Sequence, residues 1–280
     1  MQKALKKYWP IFVLPTMLAF CIGFIIPFIM GIYLSFCKFT TVTDGVWVGL
    51  SNYTKIFTDA TFSHALWFTV LFTVVSVILI NVLAFAVALL MTRGIRGTNI
   101  FRTVFFMPNL IGGIVLGYIW QMIFNGILQN YGKTLTYSAD YGFWGLVILM
   151  CWQQVGYMMI IYIAGIQSVS KDLYEAAEID GCGKWKTLWN ITIPNVMPSI
   201  TICMFLTLTN GFKLFDQNLA LTAGQPANET EMLALNIFNT FYGRTGWEGV
   251  GQAKAVIFFI IVVAIALLQL RLTRSKEVQQ

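Results

Sequence analysis

The sequence predicts an all-α membrane protein with six transmembrane helices and a charged helix–turn–helix segment outside the bilayer. Apolar residues form 58% of the 280-residue chain, charged residues form only 11%, and the mean hydropathy is +0.72. Because soluble domains are about a quarter charged, this chain has too few charges to cover a water-facing surface. The formal net charge of +6 does not indicate nucleic acid binding, because the basic residues are distributed as they are around membrane spans.

Six windows without a charged residue mark the predicted spans. A helix needs about 20 residues to cross the hydrocarbon core, and the first five windows are long enough. The sixth has 16 residues, but an uncharged stretch precedes it and Lys254 is expected to extend its amine outward to the interface. The windows are Tyr8–Cys37, Ala60–Thr92, Thr103–Gly132, Tyr141–Ser170, Thr187–Phe212 and Ala255–Leu270.

The first window follows three lysines, as the apolar part of a signal peptide would. Its apolar run is too long for a signal peptide and no small-residue cleavage site follows it, so we expect a retained helix. Pro15 and Pro27 are expected to bend or interrupt this helix. His64 is expected to lie at the membrane interface, near the start of the second helix.

Lysine and arginine are distributed unevenly between the two sides of the predicted membrane. One side carries 12 and the other carries 6 of the 18 basic residues. The side richer in basic residues is usually cytoplasmic, which predicts that both termini and the charged segment after the fourth helix lie in the cytoplasm. The 12 residues are Lys3, Lys6, Lys7, Arg93, Arg96, Arg102, Lys171, Lys184, Lys186, Arg271, Arg274 and Lys276.

Two longer segments, Phe39–Thr61 and Asn218–Gln252, are predicted on the external side. Their glycines and prolines indicate ordered turns, and each segment is equally well explained as a plain connection.

The sequence lacks an energy source of its own. No phosphate-binding loop is present, because Ile127 replaces the glycine that Gly132-Lys133-Thr134 would need five residues earlier. The windows contain no carboxylate for ion coupling. Lys213 and Asp216 are predicted on one helix face, where they form either an interfacial ion pair or a sparse proton relay. We predict no catalytic residue and no metal site, and we interpret the five cysteines as small apolar side chains.

The charged segment over residues 168–195 has the pattern of two short helices. Acidic Asp172 falls in the first turn, Ser168 or Ser170 can cap the helix, and Gly181 allows a sharp turn. A second helix is predicted from Trp185. The apolar side chains expected to pack into a partner's groove are Leu173, Tyr174, Ala177 and Leu188.

The same segment resembles the EAA motif of importer-type ABC permeases. The matching parts are Glu175-Ala-Ala, Asp180-Gly181 and Ile191-x-Ile193-Pro194, where the family usually has I-x-L-P. Further stretches resemble the carbohydrate-uptake branch, with maltose and multiple-sugar systems as the nearest types. They are Arg102–Pro108, Trp120 with Phe124, Asp172-Leu-Tyr, Phe212–Asp216, Leu221–Pro226 and Gly251–Ala255. Within Leu221–Pro226, Gln225 departs from the G-G-P that the branch usually has. The resemblance covers about residues 5–275.

This resemblance implies a type I ABC importer permease fold in the plasma membrane of a prokaryote. It implies a second permease subunit, most simply in a heterodimer, two ATP-binding subunits that hold ATP and Mg, and an extracellular solute-binding protein that delivers a sugar. This chain would bind no cofactor itself. The implied division is residues 1–61 as an N-terminal helix and external loop, 62–275 as the permease core, including 168–195 as the coupling loop, and 276–280 as a cytoplasmic tail. The implied ATPase-coupling residues are Leu173, Tyr174, Glu175, Ala176, Ala177, Asp180, Gly181 and Pro194.

A polar patch opens the fourth predicted helix, where Gln153 and Tyr157 are four residues apart and face one side. Because an unpaired amide in lipid is costly, Gln153 and Gln154 are expected to face protein or water, either along a sugar path or in helix–helix hydrogen bonds. The resemblance places seven positions on the substrate path: Asn109, Gly113, Gln153, Gln154, Tyr157, Gly211 and Lys213.

Two other classes of function compete with an importer subunit. An ion-coupled secondary carrier or channel acting alone would need a coupling-ion site and an internal repeat. A membrane-anchored scaffold or sensor would not need polar residues within its spans.

Overall fold

The computed structural model describes residues 2–94 and 96–275, with the side chains of residues 2–8 and 10 excluded. The predicted tail at 276–280, with Lys276, therefore lies outside the described residues. In the described part, the α-helices are α1 (Gln2–Phe20), α2 (Ile26–Ser35), α3 (Ser51–Thr58), α4 (Ala60–Met91), α5 (Thr98–Phe106), α6 (Gly113–Leu128), α7 (Ala139–Ser168), α8 (Lys171–Ile179), α9 (Lys184–Thr187), α10 (Ile193–Asn195), α11 (Met197–Phe212), α12 (Asp216–Leu221), α13 (Leu233–Gly243) and α14 (Glu248–Arg274). Strands β1 (Cys37–Lys38) and β2 (Val46–Trp47) pair antiparallel, with Cys37 opposite Trp47.

Within the described residues, four helical stretches are long and apolar enough to cross a bilayer without a break. Two further stretches are bent pairs, so the number of spans is four to six, and the six predicted windows match if each bent pair is one span. The unbroken stretches are Ile11–Ser35, Ala60–Met91, Ala139–Ser168 and Glu248–Arg274.

The windows Thr103–Gly132 and Thr187–Phe212 are not the straight helices that the sequence predicted. The first bends by 101° between a 3-10 turn at Met107–Leu110 and α6. There, Ile111 and Gly112 adopt extended backbone conformations after Pro108. The second bends by 70° at Val196, between Pro194 and Pro198. In both places, prolines remove backbone donors and interrupt the helical ladder.

The first span changes its helical hydrogen-bond pattern near Pro27, without the sharp bend of the two broken spans. Helix α1 continues through Pro15, whereas a π-helical turn at Cys21–Ile25 separates α1 from α2, which begins with Pro27 at its second position. A π turn is a common way to accommodate a disturbed hydrogen-bond ladder inside a helix.

One of two compact units consists of Met1–Ala60 and Ile237–Ile260. Residues 237–260 thus group with the N-terminal part in this unit, and the sequence-based division with a boundary after residue 61 stays a prediction. The side chain of Lys254 was predicted to extend outward, but it is fully buried in this unit. Its amine donates to Asp59 Oδ2 and to Thr240 Oγ1, each at 2.8 Å. The prediction that Lys254 extends outward was wrong, because two acceptors lie within the unit.

The other unit consists of Thr61–Asn236 and Ile261–Gln280. Its apolar core is built from side chains of α4, α7 and α11, and it also encloses a short polar chain. The Tyr162 hydroxyl donates to Asn81 Oδ1 at 2.6 Å, and Asn81 Nδ2 donates to Thr207 Oγ1 at 2.9 Å. These bonds satisfy an amide within a membrane span, where an unpaired amide would be costly. His64 lies in the first turns of α4, near the helix start that the sequence predicted, and its side chain is exposed.

Candidate functional site

The charged segment folds as the predicted helix–turn–helix. Helix α8 begins after Ser170, whose side chain accepts a hydrogen bond from the Asp172 backbone N–H at 3.3 Å. This is an N-cap, which satisfies one of the free donors at a helix start, and the Asp172 carboxylate favours the same end electrostatically. Of the two serines proposed as caps, Ser170 has this role.

A left-handed glycine closes α8. Gly181 has φ +72°, and the backbone N–H groups of Asp180 and Cys182 donate to Ala176 O at 2.9 Å and Ala177 O at 2.8 Å. Helices commonly end in this way, and only glycine adopts the conformation without strain. The turn is therefore fixed, and it directs the chain into the next helix.

The second arm of the segment consists of α9, a π turn at Leu188–Thr192, and α10. The hydroxyls of Tyr174 and Thr192 lie 3.3 Å apart and join the two arms. Ala177 is 5% exposed. Ala177 therefore holds the segment together from inside, and the prediction that it is available to a partner's groove is wrong. Tyr174 and Leu188 are half-buried and line a cleft beside the segment.

The outer surface of the segment carries the predicted Leu173 together with apolar side chains that were not predicted there. Ile179 is 86% exposed, Trp185 is 72% exposed and Trp189 is 61% exposed, with the two indole rings stacked at 6.5 Å. Leu173 and Glu175 are also exposed. The signal in the sequence is the spacing: Tyr174 and Ala177 are three residues apart on one face of α8, so Ile179, two residues after Ala177, points away from that face.

A cleft of about 880 Å³ lies between this segment and the end of α4. Its lining includes the charged side chains of Arg93, Glu178 and Lys184 beside Trp185. The segment therefore presents both signs of charge together with bulky apolar side chains, which suits docking to another protein.

The polar patch of α7 lies against α11, α12 and the break before α6. Gln153 and Gln154 are 5% and 8% exposed. Gln217 Nε2 donates to Gln153 Oε1 at 2.8 Å, and Asn210 Nδ2 donates to Gln154 Oε1 at 3.3 Å. Gln153 also donates to the Ile111 carbonyl at 3.4 Å. Both glutamines thus face protein, as predicted, and the helix–helix hydrogen bonds proposed as one alternative are present.

A cavity of about 380 Å³ adjoins these amides. Its polar lining is formed by Gln154, Asn210, Lys213, Asp216 and Gln217. Lys213 and Asp216 do not pair within the described residues, since α11 ends at Phe212 and α12 begins at Asp216. The predicted ion pair on one helix face is therefore wrong, and both charges are exposed to the cavity.

The other positions predicted on the path, Asn109, Gly113 and Tyr157, are not among the residues that line this cavity. Asn109 is half-buried, and the half-buried ring of Tyr157 lies 6.2 Å from that of Phe106. A Cβ on Gly113 would lie 2.7 Å from the Asp216 Cβ, which makes Gly113 a contact point between α6 and α12.

Gly211 is not among the residues that line this cavity. A Cβ there would lie 3.0 Å from the Thr73 side chain, so Gly211 packs against α4 and does not face the cavity. Asn210 and Gln217 were missed. Both are polar residues beside the predicted pair of charges, and their position near the end of a span is the signal that pointed to them.

A metal or catalytic centre is not assembled in this region. Among the described residues, no group of three or more His, Cys, Asp or Glu side chains is placed to hold a metal ion. The five cysteines are free thiols. The arrangement offers amide, hydroxyl and single charged groups that can form hydrogen bonds to a polar solute.

Comparison with known proteins places this architecture in a family. Residues 81–277 match the model described as "Binding-protein-dependent transport system inner membrane component". The chain is 44% identical over 281 residues to the "Probable starch degradation products transport system permease protein AmyD" of Thermoanaerobacterium thermosulfurigenes, covering 97% of this chain and 95% of that protein. It is 31% identical to the "Multiple sugar-binding transport system permease protein MsmF" of Streptococcus mutans, covering 99% of each.

A solved structure confirms the predicted fold class. A chain of a bacterial alginate ABC transporter, in complex with an alginate pentasaccharide-bound periplasmic protein, superposes with a TM-score of 0.80 at 20% identity, covering 98% of this chain and 97% of that one. Together with the candidate spans, these matches make the chain a multi-pass protein of a prokaryotic plasma membrane. By the residues matched and by its relatives, the chain belongs to the family of binding-protein-dependent transport system inner membrane components.

Proposed function

We propose that this chain is one permease subunit of an ATP-driven importer for an oligosaccharide, powered through the segment at residues 170–195. The observation that carries the proposal is a rigid, exposed helix–turn–helix with the EAA pattern in a chain without a phosphate-binding loop. In this proposal the segment docks on a separate ATPase subunit that holds ATP and Mg. It lies in the cytoplasm, as do both termini.

The contacts of the segment support a role in transmitting motion. The bond between Tyr174 and Thr192 joins its two arms, and only Val196 stands between α10 and α11. Glu175, Ala176, Asp180 and Gly181 are exposed, with Ile179 and Trp185 supplying apolar area for docking. A central apolar patch rimmed by charges is typical of stable protein interfaces. Leu173 belongs to the same exposed surface, while Ala177 and Pro194 act through the shape of the segment.

The substrate class follows from the cavity and from the relatives. Amides of Gln154, Asn210 and Gln217 can donate to and accept from sugar hydroxyls, and one cation with one anion leaves the lining without a strong net charge. The proteins AmyD and MsmF are named for starch degradation products and multiple sugars. We therefore assign a neutral oligosaccharide, with Asn109, Gln153, Gln154, Tyr157 and Lys213 along its path.

The proposed assembly contains a second, non-identical permease chain, two ATPase subunits and an extracellular solute-binding protein. The last is supported by the alginate transporter, which was solved together with an oligosaccharide-bound periplasmic protein. This chain would form half of the path and receive its sugar from that protein.

The coupling role is tested in proteoliposomes that contain the complete importer, its binding protein and a maltodextrin. Glu175→Lys is expected to abolish ATP-dependent uptake while the chain remains in the membrane. Glu229→Lys is the matched control, because Glu229 is also an exposed carboxylate but lies in the loop after α12. Full uptake by Glu175→Lys, with unaltered ATP hydrolysis, would contradict the proposal. Uptake by this chain alone, driven by an ion gradient, would establish a secondary carrier instead.

The path is tested separately with Gln154→Leu, which removes an amide from the cavity lining. We expect uptake to fall at least tenfold while sugar-stimulated docking of the binding protein is unchanged, since the substitution lies away from the exposed surface. Gln129→Leu, at an exposed glutamine after α6, is the control. Equal uptake by both variants would remove Gln154 from the path without affecting the coupling proposal.

A further inference from the structure

An apolar groove of about 620 Å³ lies within the unit of Met1–Ala60 and Ile237–Ile260. One wall is formed by α2 with Phe28 and Ile32, and the other by α14 with Val256 and Phe259. The rings of Phe28 and Phe259 meet edge to face at 5.0 Å. The volume is within the range of about 300–1,000 Å³ that small-molecule sites occupy.

Helix α3 also lines the groove, through Leu50 just before it and Tyr53 within it. Leu50, Tyr53 and Phe57 follow one another at intervals of three and four residues, so they form one stripe along the helix. Phe57 is 83% exposed and Leu50 is 64% exposed. Lys55 is exposed on the opposite side, and Ile56 is buried on a third. The apolar stripe of α3 is therefore continuous with the groove.

The groove lies between two stretches that are long and apolar enough to cross a membrane. The stretch Ile11–Ser35 has none of its most apolar window buried by protein, and Glu248–Arg274 has 11% buried. Both walls of the groove are thus continuous with apolar faces that this chain leaves unburied. Lipid acyl chains are apolar, as is the lining of the groove, so the two match in chemistry.

The connection that contains α3 joins two candidate spans. The chain leaves one at Ser35 and enters the next at Ala60, so residues 36–59 connect two span ends on the same side. Trp47 is 59% exposed and stacks on Phe36 at 5.3 Å, while Lys38 is exposed beside the hairpin. Exposed tryptophan and lysine around an amphipathic helix are the features of an interfacial segment, because indole rings prefer the headgroup level and lysine reaches phosphate.

We propose that this groove is a phospholipid site, in which an acyl chain lies between α2 and α14 and α3 rests in the headgroup layer above it. Leu50 and Phe57 then face the acyl region, and Lys38 and Lys55 face the phosphates. This inference concerns how the chain is seated in lipid, and it stands apart from the identity of the transported solute.

The position of α3 is tested by labelling Phe57→Cys and Lys55→Cys with an environment-sensitive fluorophore, using the assembled importer in phosphatidylcholine–phosphatidylglycerol nanodiscs. The buried cysteines are kept in the background. The half-buried ones, replaced by alanine, are Cys21, Cys151 and Cys182. A lipid with a nitroxide high on its acyl chain is expected to quench the label at residue 57 several-fold more than that at residue 55, and aqueous iodide is expected to do the reverse. Iodide quenching of residue 57 equal to that of residue 55 would overturn the proposal.

Occupation of the groove is tested by native mass spectrometry of the purified importer with phosphatidylglycerol added. Ala255→Trp fills the groove, whereas Ala264→Trp places the same side chain on an exposed part of α14. We expect loss of a retained phospholipid from the first variant and not from the second. Retention of the same number of lipids by both variants, or a crosslink from residue 57 to the second permease chain, would show that lipid does not occupy this site.

Discussion

Replacing Lys254 by methionine removes one partner of a buried ion pair and leaves the other in place. The lysine side chain is fully buried and the Asp59 side chain is 7% exposed, with their charged atoms 2.8 Å apart. Removing one member of such a pair typically costs about 3–5 kcal/mol, because a charge stays buried without compensation. Arg244 lies 3.7 Å from the same carboxylate oxygen but is 40% exposed, so its remaining attraction offsets at most about 1 kcal/mol.

The expected loss is therefore about 2–4 kcal/mol, which corresponds to a fall in melting temperature of roughly 5–15 °C for a protein of this size. Thermal unfolding of the assembled importer in detergent, followed by intrinsic fluorescence, measures it. Lys55→Met, at an exposed lysine of α3, is the matched control and should change stability by less than about 0.5 kcal/mol. The double variant Asp59→Asn with Lys254→Met should recover at least half of the loss. If Lys254→Met unfolds with the control, the pair is not stabilising and the reasoning is refuted.

Three further predictions concern other parts of the chain. A Cβ on Gly156 would overlap the Phe105 carbonyl, so Gly156→Ala should destabilise the chain by about 1–3 kcal/mol in the same assay, whereas Gly126→Ala, with open space around it, should not. Backbone N–H groups of Thr41 and Thr40 donate to Asp44 and lower the pKa of its carboxyl group. The carboxylate therefore stabilises the hairpin at pH values above the pKa of Asp44 in the unfolded chain, and this stability is lost as pH falls through the lower pKa of the folded state. Asp44→Asn should abolish that pH dependence when amide hydrogen exchange of the hairpin is measured across a pH titration. Asn218 is fully buried with three hydrogen bonds, and Asn218→Leu should cost roughly 2 kcal/mol or more in thermal unfolding.

The sequence predicted the spans and the coupling segment because both depend on local pattern. Charge-free windows report which residues avoid water, and a serine before an acidic residue marks the start of α8 wherever the helix lies. The π turn before Pro27 is likewise local, since it follows from a missing backbone donor.

The features that sequence reasoning missed depend on partners that are distant along the chain. Lys254 is buried because Asp59, 195 residues earlier, is beside it, and no window of sequence contains both. Asn210 belongs to the cavity because Gln154 lies opposite it on another helix. The inward direction of Tyr174 required knowing that Thr192 closes the second arm. A pattern gives the polarity of a helix face but not the residue that it meets.

The single residue between α10 and α11 has a mechanical consequence. Val196 is the pivot of a 70° bend, and α11 is an uninterrupted rod beyond it. Asn210 lies about 20 Å along that rod, so a tilt of roughly 10° at the pivot displaces it by about 3 Å. Its bond to Gln154 is 3.3 Å long, and a bond of that length does not survive such a displacement. A rotation of that size at Val196 would therefore break one amide contact beside the cavity.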